Sequence, residues 1–164
     1  MKFFDIKEYG DMSGTVHQGD MDISNKGITS LEGMPEAVAG NFDCSNNKLT
    51  SLQGMASSIC GDFDCRENKL TSLEGIAKFI GGNFNCGGNQ LTSIIDAFDN
   101  VKGYITCDYG IYPYHMEALK YRHKNPNLSD IVFKIRMFEQ TKCEYFITQK
   151  EYEDYIEEHP EYAF

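Results

Sequence analysis

The sequence predicts an α/β solenoid in which short parallel strands stack one per repeat and helices close the C-terminal end. Three observations carry this prediction. An unbroken 21-residue period runs through residues 20–103, a spacing that belongs to stacked-repeat architectures. Aligned in register, the repeats separate into apolar and polar columns. Beyond residue 112 the period is lost and apolar residues take up helical spacing. The expected parts are therefore an N-terminal cap over residues 1–19, a solenoid over 20–112 and a helical cap over 113–164.

The repeats are Asp20–Gly40, Asn41–Gly61, Asp62–Gly82 and Asn83–Gly103, with a partial fifth from Tyr104 to Tyr112. The second and third agree at 13 of 21 positions without a gap. One apolar column reads Met21, Phe42, Phe63, Phe84, Ile105, and the column two residues on reads Ile23, Cys44, Cys65, Cys86, Cys107. That offset puts both columns on the same side of a strand. Past a turn come Ile28, Leu49, Leu70, Leu91 and Tyr112, then Leu31, Leu52, Leu73 and Ile94. A return segment carries Val38, Ile59, Ile80 and Val101. Asn47, Asn68 and Asn89 stand between strand and first leucine, where an amide can bond the backbone of its own turn and of the neighbouring coil. Gly40, Gly61, Gly82 and Gly103 precede the strands, where the return arm is expected to turn sharply. No repeat can bury its apolar side alone, so stacking must supply the core.

Phe42-Asp43-Cys44-Ser45-Asn46-Asn47-Lys48-Leu49 and its copies fill a strand-and-turn core of the form L-x-L-x-x-N-x-L. On these residues the chain resembles the leucine-rich-repeat family. The longer string F-D-C-S-N-N-K-L-T-S-L-x-G is most similar to repeat proteins encoded by large tailed bacteriophages, and less closely to bacterial leucine-rich-repeat effectors. The resemblance spans about residues 19–112. It implies one parallel strand per repeat on a concave face and a role in protein recognition, without a particular activity. Lys26 and Gly110 replace the turn Asn in the first and fifth units, as suits end units that cap.

Phe3, Phe4, Ile6, Tyr9 and Val16 are enough to cover one open end. At the other end, Pro113 fits a helix start with Met116 and Leu119 as its stripe, ending before Pro126. Ser129 fits the N-cap of a longer helix with Ile131, Ile135 and Phe138 on one face, joined by Val132. Thr148 and Glu151 form a capping-box pattern ahead of Tyr152, Tyr155 and Ile156. That third helix would end near Pro160 with Glu153, Asp154, Glu157 and Glu158 on its solvated face.

The chain has 15 basic and 25 acidic residues, for a net charge of -10. This balance argues against nucleic-acid phosphate and against anionic lipid as a docking surface. No apolar run reaches membrane-spanning length, and charges occupy the N-terminal positions where a signal peptide needs an apolar stretch. The expected location is cytoplasmic, meaning the host cytoplasm for a phage product. Cysteines in one strand column, about 4.8 Å apart, are too widely spaced for disulfides and too linear for tetrahedral zinc. They read as small buried apolar residues. Cys60 and Cys143 have no partner visible in the sequence, and the chain after Tyr112 is too short for a cysteine ubiquitin-ligase domain. His17, His115, His123 and His159 are scattered, with no catalytic signature beside them.

The outward side of the strands holds the candidate binding residues. One column reads Asp22, Asp43, Asp64, Asn85, Thr106, and the column before it reads Asp20, Asn41, Asp62, Asn83, Tyr104. Like charges side by side on a sheet cost a few tenths of a kcal/mol each, on the order of 0.2–1, so the stripe invites a functional explanation. A calcium ladder would carry a different repeat signature. Arg66, Tyr104 and Tyr109 are candidate anchors, and Gly87 and Gly88 would leave room for a partner side chain beside the fourth strand. The expectation is a non-enzymatic module, without metal or cofactor, that grips a basic protein surface. In a phage setting that partner would be a host defence protein which it inhibits. The rival readings are an acidic decoy that mimics DNA for a host DNA-binding enzyme and a structural or virion-associated repeat protein. The oligomeric state stays open.

Overall fold

The computed structural model describes residues 1–92, 94–97, 99–103, 105–107, 133–137 and 144–147. Parallel strands stack as a β-solenoid of about four turns. The first sheet to build is the one the apolar columns demand. Its strands are β2 (Met21–Asp22), β4 (Phe42–Asp43), β6 (Phe63–Asp64), β8 (Phe84–Asn85) and β9 (Ile105–Cys107). They pair in parallel, Met21 with Phe42, Phe42 with Phe63, Phe63 with Phe84 and Phe84 with Ile105. The 21-residue repeat is thus the ladder register itself.

The return segment, expected only to carry spaced apolar residues, forms a second sheet. Its strands are β1 (Val16–His17), β3 (Ala37–Val38), β5 (Ser58–Ile59) and β7 (Phe79–Ile80), stacked in that order. Val38, Ile59 and Ile80 point inward and are fully buried. The core between the two sheets contains, among the described residues, Ile28, Leu49 and Leu70, then Leu31, Leu52 and Leu73, with Val101 packed against it. Phe42, Phe63 and Phe84 stack face to face, with ring centroids 5.4 and 5.2 Å apart and interplanar angles of 2° and 14°. Offset stacks of this kind contribute about 0.5–1.5 kcal/mol per pair beyond area burial.

The asparagine column behaves as its chemistry predicts. Asn68 Oδ1 accepts the Leu49 N–H at 2.9 Å, and its Nδ2 donates to the carbonyls of Cys44 and Cys65 at 3.0 Å each. Asn47 and Asn89 repeat this bridge between coils. The glycine column has a different cause from the expected sharp turn. A methyl on Gly82 would stand against Asp62 Oδ1 and 2.9 Å from both the Asp62 nitrogen and the Gly61 carbonyl carbon. Close approach of the preceding coil, not a left-handed backbone, excludes a side chain there.

In the N-terminal segment Phe3 and Ile6 are buried, and Tyr9 packs against the core. Phe4 and Val16 instead remain exposed. At the other end, the helix expected from Ser129 is overturned. Residues Phe133–Met137 form strand β10, which pairs in parallel with β9, Ile135 opposite Ile105 and Met137 opposite Cys107. Glu144–Ile147 form β11, antiparallel to β10. Apolar residues at 131, 132, 135 and 138 fit a helix, but 133, 135 and 137 also alternate at period two. The open backbone edge of β9 decides between these patterns, because each unpaired N–H and C=O there is costly if buried. The helices expected from Pro113 and Thr148 lie outside the described residues. Among the described residues no helix is long and apolar enough to cross a membrane.

Cys44, Cys65, Cys86 and Cys107 are buried, and Cys60 is exposed. Burial pushes the Cys44 and Cys65 thiols well above the ordinary range, with neighbouring charge adding to it. A thiolate-directed reagent should therefore label Cys60 and spare these four until the protein unfolds. Peptide mapping after native labelling checks this, and an adjacent bridged pair or early labelling of Cys65 would contradict the packing.

Candidate functional site, the outer face of the long sheet

Residues between the inward columns of a strand must face outward, and the structure places the predicted acidic columns there. Asp20, Asp22 and Asp62 are exposed, while Asp43, Asp64 and Asn85 are half-buried by their neighbours. Asp43 stands in register between Asp22 and Asp64, and Asp64 stands opposite Asn85. Thr106 follows on β9 and Arg136 on β10. Tyr104 and Tyr109 lie outside the described residues.

Both columns have a structural task that the sequence reading missed. Asp20 Oδ1 accepts the N–H of Asn41 at 2.7 Å, Asn41 Oδ1 that of Asp62 at 2.8 Å, and Asp62 Oδ1 that of Asn83 at 2.6 Å. Each side-chain oxygen thereby ties its coil to the next. In the other column, Asp22, Asp43, Asp64 and Asn85 each accept the N–H two residues on, from Ser24, Ser45, Arg66 and Gly87 at 2.8, 2.8, 3.0 and 3.2 Å. These local bonds turn the chain at the end of each strand. The signal was available, because a column mixing Asp with Asn and never Glu or Gln specifies a short side-chain acceptor.

The acids differ in their surroundings. The Ser24 N–H and hydroxyl hold the Asp22 carboxyl below its ordinary value. Burial raises that of Asp64, and Asp43 across the ladder adds to the rise, while the Arg66 N–H and guanidinium oppose it. Arg66 Nε lies 3.2 Å from Asp64 Oδ2, so this candidate anchor covers an acid of its own strand. The room expected at Gly88 is taken up by Glu67, whose carboxylate oxygen would lie 2.6 Å from an added Cβ. An open depression of about 300 Å³ remains on this face. Asp62, Asp64, Asn83, Asn85 and Thr106 border it, over the strands at Phe63 and Phe84.

The depression thus offers carboxylates, carboxamides and a hydroxyl to a partner group. Among the described residues no group of three or more His, Cys, Asp or Glu is placed to hold a metal ion. Comparison with protein-family models, with curated proteins and with solved structures found no match.

Proposed function

We propose that this chain is a non-enzymatic protein-binding module of the leucine-rich-repeat kind, gripping a basic protein surface with the outer face of its long sheet. One observation carries the reading. Asn41 ties coils together as Asp20 and Asp62 do, and Asn85 closes its turn as Asp22, Asp43 and Asp64 do. An amide oxygen therefore performs the structural task without charge. Five carboxylates on one face are more charge than the architecture needs, and adjacent acids carry a repulsive cost. Attraction of a cationic partner accounts for that excess, since complementary charge speeds encounter and excludes wrong partners. The phage resemblance extends the proposal to a host defence protein as the partner, held in an inhibited state.

The experiment uses paired baits, the parent chain and Asp22→Asn/Asp43→Asn/Asp62→Asn/Asp64→Asn. Asn keeps every acceptor, whereas a Lys reversal would remove them and confuse binding with folding. The parent should retain a basic protein from host lysate that the Asn bait loses, and the purified pair should associate about tenfold or more slowly with the variant. Equal retention by both baits would move the binding site off this face. A DNA-mimic decoy would instead spread its dependence over acids all around the chain, with these four removing only their share.

A further inference from the structure

The long sheet begins at β2, and that terminal edge carries an arrangement the binding proposal does not use. The N–H groups of Met21 and Ile23 point at β4, donating to the carbonyls of Asn41 and Asp43 at 2.8 Å each. Strand alternation leaves the Asp20 and Asp22 carbonyls on the opposite edge. Open carbonyls on an edge strand are a template for another strand. Here both are occupied by side chains of the N-terminal segment. The Asp20 carbonyl lies 3.0 Å from His17 Nε2, and the Asp22 carbonyl accepts the Tyr9 hydroxyl at 3.4 Å. Since a carbonyl only accepts, His17 Nε2 carries the proton.

Neither side chain is there by chance of an exposed rotamer. Tyr9 stacks on the buried Phe3 ring at 5.6 Å and meets the His17 ring edge-on at 5.8 Å. The segment bearing them is bonded to the first coil through Met12 N–H to the Gly33 carbonyl and Glu36 N–H to the Thr15 carbonyl, both 2.8 Å. The Asp20 and Asp22 carboxylates add like-charge repulsion against any copy of the same edge.

We propose that Tyr9 and His17 are the groups that hold the β2 edge closed against pairing with a second copy of this chain. A second copy is the occupant the geometry selects, because two β2 edges can meet antiparallel about a two-fold axis, each supplying what the other lacks. The inference rests on the fold and is independent of the binding proposal.

The test compares the parent, Tyr9→Phe/His17→Leu and Tyr9→Phe/His17→Gln by light scattering over a hundredfold concentration range, with amide exchange as the second readout. The Leu variant keeps the ring stack and loses both donors, whereas Gln restores an N–H for the Asp20 carbonyl. The Leu variant's mean mass should rise towards twice the parent's with concentration, and further with salt that screens the aspartates. Exchange of the Asp22 amide, on the same edge, should slow as the mass rises. The parent should keep constant mass, and the Gln variant should fall between the two. Constant mass in the Leu variant overturns the proposal. So does equal association of the Leu and Gln variants, or a rise in mass that leaves Asp22 exchange unchanged.

Discussion

Replacing Phe63 with alanine should destabilise the fold by about 3–5 kcal/mol, the range for removing a buried aromatic side chain. Phe63 is the middle ring of the stack, 1% exposed and in contact with rings on both sides. Its loss opens a cavity that strands β4 and β8 cannot fill, because their backbones are fixed by the ladder on either side. Equilibrium denaturation measures the effect, and a loss under about 1 kcal/mol would refute continuous packing between coils.

Asn68→Ala should cost about 3 kcal/mol or more, although it removes only a small polar side chain. The Leu49 N–H and the Cys44 and Cys65 carbonyls all bond this amide, and each buried group left unsatisfied costs about 1–3 kcal/mol. Asn68→Asp is the discriminating partner. It keeps the acceptor for Leu49, loses the donors and places a charge at a buried position, so it should be no more stable than the alanine variant. If Asp is tolerated where Ala is not, the bonds donated to Cys44 and Cys65 are not what holds the position.

The solenoid was legible because its period and its register are one fact. Residues 21 apart, such as Phe42 and Phe63, must either stack or waste their apolar surface, and the parallel ladder is the way to stack them. The Asn47, Asn68 and Asn89 bridge was legible for a similar reason, since a buried amide at a strand end has few uses. The second sheet was not legible, because the return segment offers one inward residue per repeat, such as Ile59 in Ser58–Ile59, with no second apolar column two residues away to mark a strand. Glu67 was not legible either. It adopts a left-handed backbone, φ 52°, in the column of Asn25, Asn46 and Gly88, a conformation that costs a non-glycine residue about 1–2 kcal/mol.

At the C-terminal end the failure was one of competing periods. Ile135 satisfies a helical stripe and a strand alternation equally, and only the exposed edge of β9 chooses the strand. The candidate binding face was half legible. Its position followed from the outward columns, but hydrogen-bond demand by the backbone of the next coil leaves no mark beyond the choice of Asp and Asn over Ser and Thr. What read as unexplained acid is acceptor first and charge second.

The measurement that bears most directly on the account is the thermal melt at pH 7 of Asp22→Asn/Asp43→Asn/Asp62→Asn/Asp64→Asn beside the parent. The Asn side chains keep the acceptor oxygens at all four positions, and at Asp64 the change also removes a charge that burial penalises. If the charge is surplus to the fold, the variant's midpoint should lie no more than about 2 °C below the parent's, equivalent to about 0.5 kcal/mol for a chain of this size, and relief of repulsion can only raise it. A fall of more than about 5 °C in the variant would show that the carboxylates themselves hold the coils together, and the acidic face would need no partner to explain it.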